Sequence, residues 1–358
     1  MDRPRSAGSD PMLRRILPLL PAAALFGGSL LAQHPDPLRG QLPKSDLGVA
    51  ALQARQPEYD GRGVRVAVLD TGIDPGHPFL QRASTGGRKI VDWYDATTDG
   101  RIDLVAVVGH EGGRITGLSG RALQLGRWAA PGREFRLGRI DSQFLPGGLA
   151  ARLRSGRRSV WEDGRRRWQE RQAAAVGAAT DPAQAALWEH HEDPGPVWDL
   201  VVFEEQPGAW RLLIDNDEDG DLDEEPALRS FRESGDWAPL GDEALLHYAV
   251  SVAEDGASLR LFFDANGHGT HVAGIIGAWG GAGSRLNGLA PGVEFVAIKI
   301  GDGKYGGSTT GFSIGKALDY AVEAGCQVVN MSFGGPSFAA DGLEPDAWAI
   351  DQAVARGL

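Results

Sequence analysis

The chain has 358 residues, room for two or three domains at roughly 100–200 residues each, and 51 Gly with 21 Pro in no collagen period exclude a coiled coil or helical bundle. Hydrophobic residues at 42% with 10 Trp exclude wholesale disorder, and a net charge of −12 argues against a nucleic-acid partner. The single cysteine, Cys326, excludes a disulfide framework or a cysteine-based zinc site and reads as a small core residue.

At the N-terminus, Met12-Leu13-Arg14-Arg15 precedes an uncharged apolar run from Ile16 to Leu31, with Ala32 as a cleavage position. That pattern predicts a signal peptide over 1–32 and an exported bacterial protein, periplasmic or extracellular. The rival is an uncleaved anchor, although the run is short of the ~20 residues of a membrane span. No later stretch is apolar enough to cross a membrane, so no membrane partner is expected beyond the signal segment. Residues 33–60 read as a polar extension punctuated by Pro35, Pro37, Pro43 and Pro57.

After the turn at Asp60-Gly61-Arg62-Gly63, Val64 to Leu69 reads as a strand buried on both faces. It ends at Asp70, and in open α/β sheets functional groups collect at such carboxyl ends. Residues 101–260 change character and read as an inserted α+β domain. Leu149 to Ala179 predicts one or two amphipathic helices, with eight Arg between Arg152 and Arg171 as a solvated face or a surface for an acidic partner. Val197–Ile214 and Ala244–Phe263 alternate like antiparallel strands. Beyond Asp264 a parallel α/β pattern resumes, with helices over 267–278, 310–324 and 347–355 and strands over 294–300 and 327–331. Segments 61–100 and 261–358 are thus two parts of one domain.

The chemistry concentrates in Asn266-Gly267-His268-Gly269-Thr270-His271-Val272-Ala273-Gly274. Glycines on either side of His268 leave its ring accessible and let the backbone approach a neighbour closely. A His opening a helix and an Asp closing a strand can share one hydrogen bond. The Asp then fixes the imidazole tautomer, as general-base catalysis requires. The alternatives are two unconnected loop residues, or His268 with His271 as metal ligands on one helix face, a pair that lacks a third ligand; His271 itself reads as structural.

A second cluster, residues 215–225, holds eight carboxylates in eleven positions. Asp215, Asp217, Asp219, Asp221 and Asp223 alternate around Gly220 like the first half of a calcium loop. The twelfth position is Pro226, so the expected bidentate Glu is missing or displaced to Glu225. An acidic turn between strands is the other reading.

Val68-Leu69-Asp70-Thr71-Gly72-Ile73-Asp74 and His268-Gly269-Thr270-His271-Val272-Ala273-Gly274 resemble the aspartate and histidine motifs of subtilisin-like serine peptidases, the subtilases. Ala290-Pro291-Gly292-Val293, Val328-Val329-Asn330-Met331-Ser332 and Gly334-Gly335 match further segments in the same order. Asp70 and His268 lie 198 positions apart, and an insertion of that size resembles the tripeptidyl peptidase II branch. So are Leu42-Pro43-Lys44, Pro57 to Gly63, Asp74-Pro75-Gly76, Glu218 to Leu222, Leu228-Arg229 and Ile298 to Asp302. The resemblance implies a subtilisin-like parallel sheet flanked by helices, incomplete at the C-terminus, with an inserted α+β domain. It also implies protein or peptide substrates and no cofactor for catalysis, calcium aside. By it Asp70 orients the imidazole and His268 is the base. Ser332, Phe333 and Gly334 would form the edge that pairs with an extended peptide, and Gly303–Gly307 the opposite rim.

Two departures shape the expectation. The glutamates that hold a substrate's free amino terminus in tripeptidyl peptidase II fall here on Thr309 and Gly335. An endopeptidase is therefore expected rather than a tripeptidyl aminopeptidase. The Gly-Thr-Ser segment and the oxyanion-hole Asn also have no match among the residues after His268, where the serines are Ser284, Ser308, Ser313, Ser332 and Ser337. The chain is thus expected to be the N-terminal portion of a peptidase, holding Asp and His of the triad and inactive as it stands. The alternative is a catalytically silent, secreted peptide-binding or calcium-binding protein. The ~28 residues of the 33–60 extension are too few for a folding prosegment of domain size.

Overall fold

In the computed structural model, which describes residues 42–174, 195–241, 245–303, 307–335 and 344–358, the apolar run after Gly63 becomes a central strand. The expected signal segment and residues 33–41 of the 33–60 extension lie outside the described residues, as does the end of the helix read to Ala179. Along the chain, helix α1 (Val49–Arg55) leads to strands β1 (Arg65–Asp70) and β2 (Ile90–Asp95). Strands β3 (Arg101–Asp103), β4 (Ala106–Val108), β5 (Arg114–Thr116), β6 (Ala122–Gln124) and β7 (Phe135–Asp141) follow. Next come α2 (Gly147–Ala174), β8 (Val197–Gln206), β9 (Ala209–Ile214), α3 (Phe231–Ser234), β10 (Ala238–Leu240), β11 (Leu246–Val252) and β12 (Ser258–Phe262). The last stretch gives α4 (His268–Gly277), β13 (Glu294–Lys299), α5 (Gly311–Glu323), β14 (Val328–Asn330) and α6 (Pro345–Ala355).

Four strands form a parallel sheet in the order β14-β1-β13-β2. Ala67 is level with Val296 on one side and Val329 on the other. Because side chains alternate along a strand, Val66 and Val68 pack with Val272 and Ala273 of α4, whereas Ala67 and Leu69 pack with Ile314, Ala317 and Leu318 of α5. Covering helices on both faces explain the uninterrupted apolar run of β1. Thr310 caps α5, its hydroxyl accepting from Ser313 N at 3.2 Å.

Segment 101–260 is mostly antiparallel. Its sheets β10-β11-β12-β3 and β4-β7-β8-β9 face each other across a core that includes Leu200, Val202, Leu212, Val250 and Leu261. Strands β11 and β12 turn Ala249 and Phe262 the other way, into the core of the parallel sheet, where Phe262 stacks on Trp93 at 4.9 Å. Gly40–Leu358 forms one compact unit.

Helix α2 differs from the amphipathic expectation. Only Ala150 is buried along it, with Leu149 and Leu153 against the core, so the apolar stripe ends after two turns. Its later turns are solvated, with short-range pairs Arg158–Glu162 and Arg166–Asp163 on the surface; such exposed pairs add only a few tenths of a kcal/mol.

The turn before β1 is pinned to the strand entry of β13. Asp60 O accepts from Gly292 N at 2.7 Å, and its carboxylate accepts from Arg62 and from Ser84 Oγ. The Arg62 contact, aided by Ser84, holds the Asp60 carboxyl down to about 2. Gly61 has φ +87° and lies so close to Val293 that a Cβ would come within 2.5 Å of its Cγ1.

Candidate active site

Strand β1 delivers Asp70 to its carboxyl end, fully buried. Helix α4 begins at His268, after Gly267 in the left-handed region at φ +86°. Gly269 lets that first turn sit on the strand end: a Cβ there would lie 2.0 Å from Gly72 O and 3.0 Å from Asp70 Cβ. The result is a contact of 2.7 Å between His268 Nδ1 and Asp70 Oδ1.

A carboxylate only accepts, so His268 Nδ1 carries the hydrogen and Nε2 presents a lone pair. The His268 side chain is 49% exposed, against 0% for Asp70. One nitrogen is thus locked inside while the ring remains half open to solvent. Asp70 Oδ1 also accepts from Thr71 N at 2.8 Å, and His268 N donates to Asn266 Oδ1 at 2.9 Å.

Beyond edge strand β14, Phe333 sets its ring edge-on to the imidazole, 6.4 Å between centroids at 89°. Ser332 and Gly334 are exposed on either side, and Ser332 Oγ donates to Asn330 Oδ1 at 3.0 Å. Across from Phe333, Gly301 approaches so closely that a Cβ would meet Phe333 Cζ at 3.0 Å. The rim that follows is braced from below: the buried Lys299 ammonium donates to Gly301 O at 2.6 Å and pairs with Asp99 at 3.0 Å, and Asp99 accepts from Gly303 N. Gly303 and Gly307 are described, the residues between them are not. Between this rim and segment 101–260, a cavity of about 420 Å³ is lined by Leu149, Arg152, Leu246, Asn266 and Gly303. His271, read as structural, is exposed one turn into α4.

The acidic loop lies elsewhere. Asp215, Asp217 and Asp219 each offer a carboxylate oxygen within 4.8 Å of the others, and Asp221 and Asp223 are not part of that group. Asp215 Oδ1 accepts from Gly220 N at 3.0 Å, and Oδ2 accepts from Arg121 at 2.5 Å. Asp217, Asp219 and Asp221 each accept the backbone N–H two residues on, and Asp223 accepts from Arg127 N. Burial raises the Asp215 carboxyl, and burial foremost pushes the Glu225 carboxyl up to about 7. Asp215, Asp217 and Asp219 are the residues of this loop that could hold a cation, with Arg121 already paired with Asp215.

Sequence reading passed over one residue of this neighbourhood, Asp264, which gathers the loop before His268. Its signal was an Asp shortly before a predicted helix start, the position of a capping residue.

A parallel sheet with an Asp-Thr-Gly strand end facing a His-Gly-Thr-His helix start defines a subtilisin-type α/β architecture. The chain belongs to the Subtilase family, whose profile matches residues 61–358. It is 30% identical to tripeptidyl-peptidase 2 of Oryza sativa subsp. japonica, covering 88% of this chain and 25% of that protein. It is 33% identical to tripeptidyl-peptidase 2 of Arabidopsis thaliana, over 84% and 24%. Against subtilisin DY of Bacillus licheniformis the identity is 41%, over 26% of this chain and 32% of that one. A crystal structure of tripeptidyl peptidase 2 shares the fold at a TM-score of 0.57 and 21% identity, covering 81% of this chain and 25% of the other. The chain spans about a quarter of the length of the tripeptidyl-peptidase 2 relatives it matches.

These relatives correct one expectation. Tripeptidyl-peptidase 2 proteins of two plants, a nematode and a fly match over most of the chain, all eukaryotic, so an exported bacterial protein is not supported. The apolar run behind the expectation is 16 residues long and broken by Pro18 and Pro21, a weak signal on its own. Among the described residues, no helix is long and apolar enough to cross a membrane.

Proposed function

We propose that this chain supplies the orienting acid, Asp70, and the general base, His268, of a subtilisin-type site that hydrolyses peptide bonds in proteins or peptides. The observation that carries the reading is the 2.7 Å contact from His268 Nδ1 to a fully buried Asp70. It leaves Nε2 to take a proton from a nucleophile and return it to the leaving amine. The reading assigns no nucleophile to this chain. An extended substrate would run along Ser332, Phe333 and Gly334, with main-chain hydrogen bonds supplying affinity.

Endopeptidase action is favoured over release of tripeptides, because Thr309 and Gly335 offer no carboxylate to hold a substrate's ammonium group. The test compares peptides with blocked and free amino termini as substrates of this chain joined to a polypeptide that carries the nucleophile. Similar rates are expected, with Asp70→Asn lowering kcat by roughly 10⁴. Strict dependence on a free terminus would overturn the endopeptidase reading, and an undiminished Asp70→Asn enzyme the assignment of the base.

Asp215, Asp217 and Asp219 support a second, structural reading, a calcium ion on the loop after β9. The turn from Asp215 to Gly220 and the positive φ of Glu218, +65°, favour it.

A further inference from the structure

The carboxylate of Asp264 collects five donors. Its Oδ1 accepts from Asn266 N at 3.1 Å, Gly267 N at 2.9 Å and Thr71 Oγ1 at 2.7 Å. Its Oδ2 accepts from Thr270 N at 2.9 Å and from the Thr270 hydroxyl. Four of these donors lie in the turn that bears His268; the fifth belongs to the residue next to Asp70. One side chain therefore ties the two halves of the candidate dyad together, although it touches neither.

The Thr71 hydroxyl has a single proton and two acceptors in reach, Asp264 Oδ1 at 2.7 Å and Asp70 Oδ1 at 3.3 Å. The shorter, better contact takes it. The hydroxyl's lone pairs then face Gly269 N, which donates to it at 3.1 Å. With the proton drawn to Asp264, Asp70 Oδ1 is left to Thr71 N and His268 Nδ1. Without Asp264, that proton would turn to Asp70 Oδ1 and compete with the imidazole for the same oxygen.

We propose that Asp264 is a positioning residue for the Asp70–His268 pair, setting the start of α4 on the end of β1 and keeping the Thr71 proton away from Asp70. The inference rests on reading His268 as the base held by Asp70. An Asn cannot replace it, because its amide offers one accepting atom and two donors where five donors converge.

The test follows the Nδ1 proton of His268 by NMR in the 358-residue chain. A proton held between imidazole and carboxylate resonates far downfield of the amides. Asp70→Asn is expected to abolish that signal. Asp264→Asn, folded by circular dichroism, is expected to lose it or move it upfield, whereas Thr71→Ser retains it. A role confined to capping α4 would lower the melting temperature and leave the signal of the folded protein in place, and that result would overturn the proposal. If Asp264→Asn does not fold, Asp264→Glu decides: it keeps the accepting oxygens but displaces the carboxylate by one methylene, so a lost or shifted signal supports the proposal and an unchanged signal refutes it. A wild-type chain with no such resonance, or one that survives Asp70→Asn, removes the dyad reading and this inference with it.

Discussion

Lys89 is fully buried, its ammonium donating to Pro291 O at 2.6 Å and Val293 O at 3.0 Å beneath the ring of Phe295. Burial pushes its pKa down to about 8, against attraction from Asp60 and Glu294. Between that value and the ordinary 10.5 the unfolded chain keeps the proton while the folded one releases it, so stability rises with pH across this window. Below about 8 both states are charged and the burial cost stands in full. Denaturation of the wild type and of Lys89→Met at pH 7.5 and pH 10 should show the wild type gaining up to roughly 3 kcal/mol relative to the variant. An equal difference at both pH values would rule this out. Lys89 was not legible in the sequence, and Asp264 was legible only as a cap-like Asp before a helix, because nothing in the spacing tells which groups a lysine or an aspartate will face. Asp70 and His268 were legible, since a buried strand end and glycines on both sides of a histidine are themselves demands of close approach.

At the scale of elements, the strands and helices of the parallel sheet fell within a residue or two of the periodicity, β1 and α4 included. The sequence reading did not resolve β2, whose Asp92 and Asp95 break its apolar run because each carboxylate finds partners: Asp92 with Arg232 and Tyr320, Asp95 with Thr97. The acidic loop was visible as a pattern, but which carboxylates converge depends on the turn geometry that sends Asp223 toward Arg127. If the loop holds calcium, the ion binds the folded chain alone, and at 100 times Kd it adds about 2.7 kcal/mol. For a chain of this size that corresponds to a rise in Tm of roughly 3–5 °C. Calcium titration with thermal melting is expected to show this rise in the wild type and its loss in Asp217→Asn and Asp219→Asn. Melting of the wild type that ignores calcium would remove the site.

At the scale of the whole molecule, segment 101–260 read as an inserted α+β domain, and its strands β11 and β12 share one wall with the parallel sheet. Val250 of β11 points into the core between the antiparallel sheets while Ala249 points into the core beneath β1, and Phe262 stacks on Trp93. Shared walls couple unfolding, so the two regions should open as one cooperative unit. Cys326 reports on this from the far face of the parallel sheet, where it packs with Ala67, Leu69 and Leu318. Burial pushes its thiol up to about 11, so it reacts with iodoacetamide only when the sheet opens. Leu200 is fully buried in the other core, and Leu200→Ala should cost roughly 2–5 kcal/mol there. If the regions are coupled, that loss speeds labelling of Cys326 by at least about tenfold, because opening is fast compared with alkylation and each 1.4 kcal/mol is worth a factor of about ten. If segment 101–260 unfolds by itself, labelling stays at the wild-type rate while the circular dichroism of the antiparallel strands is lost first. The shared wall of β11 and β12 argues for the coupled outcome, since opening either region strips water-excluding contacts from both.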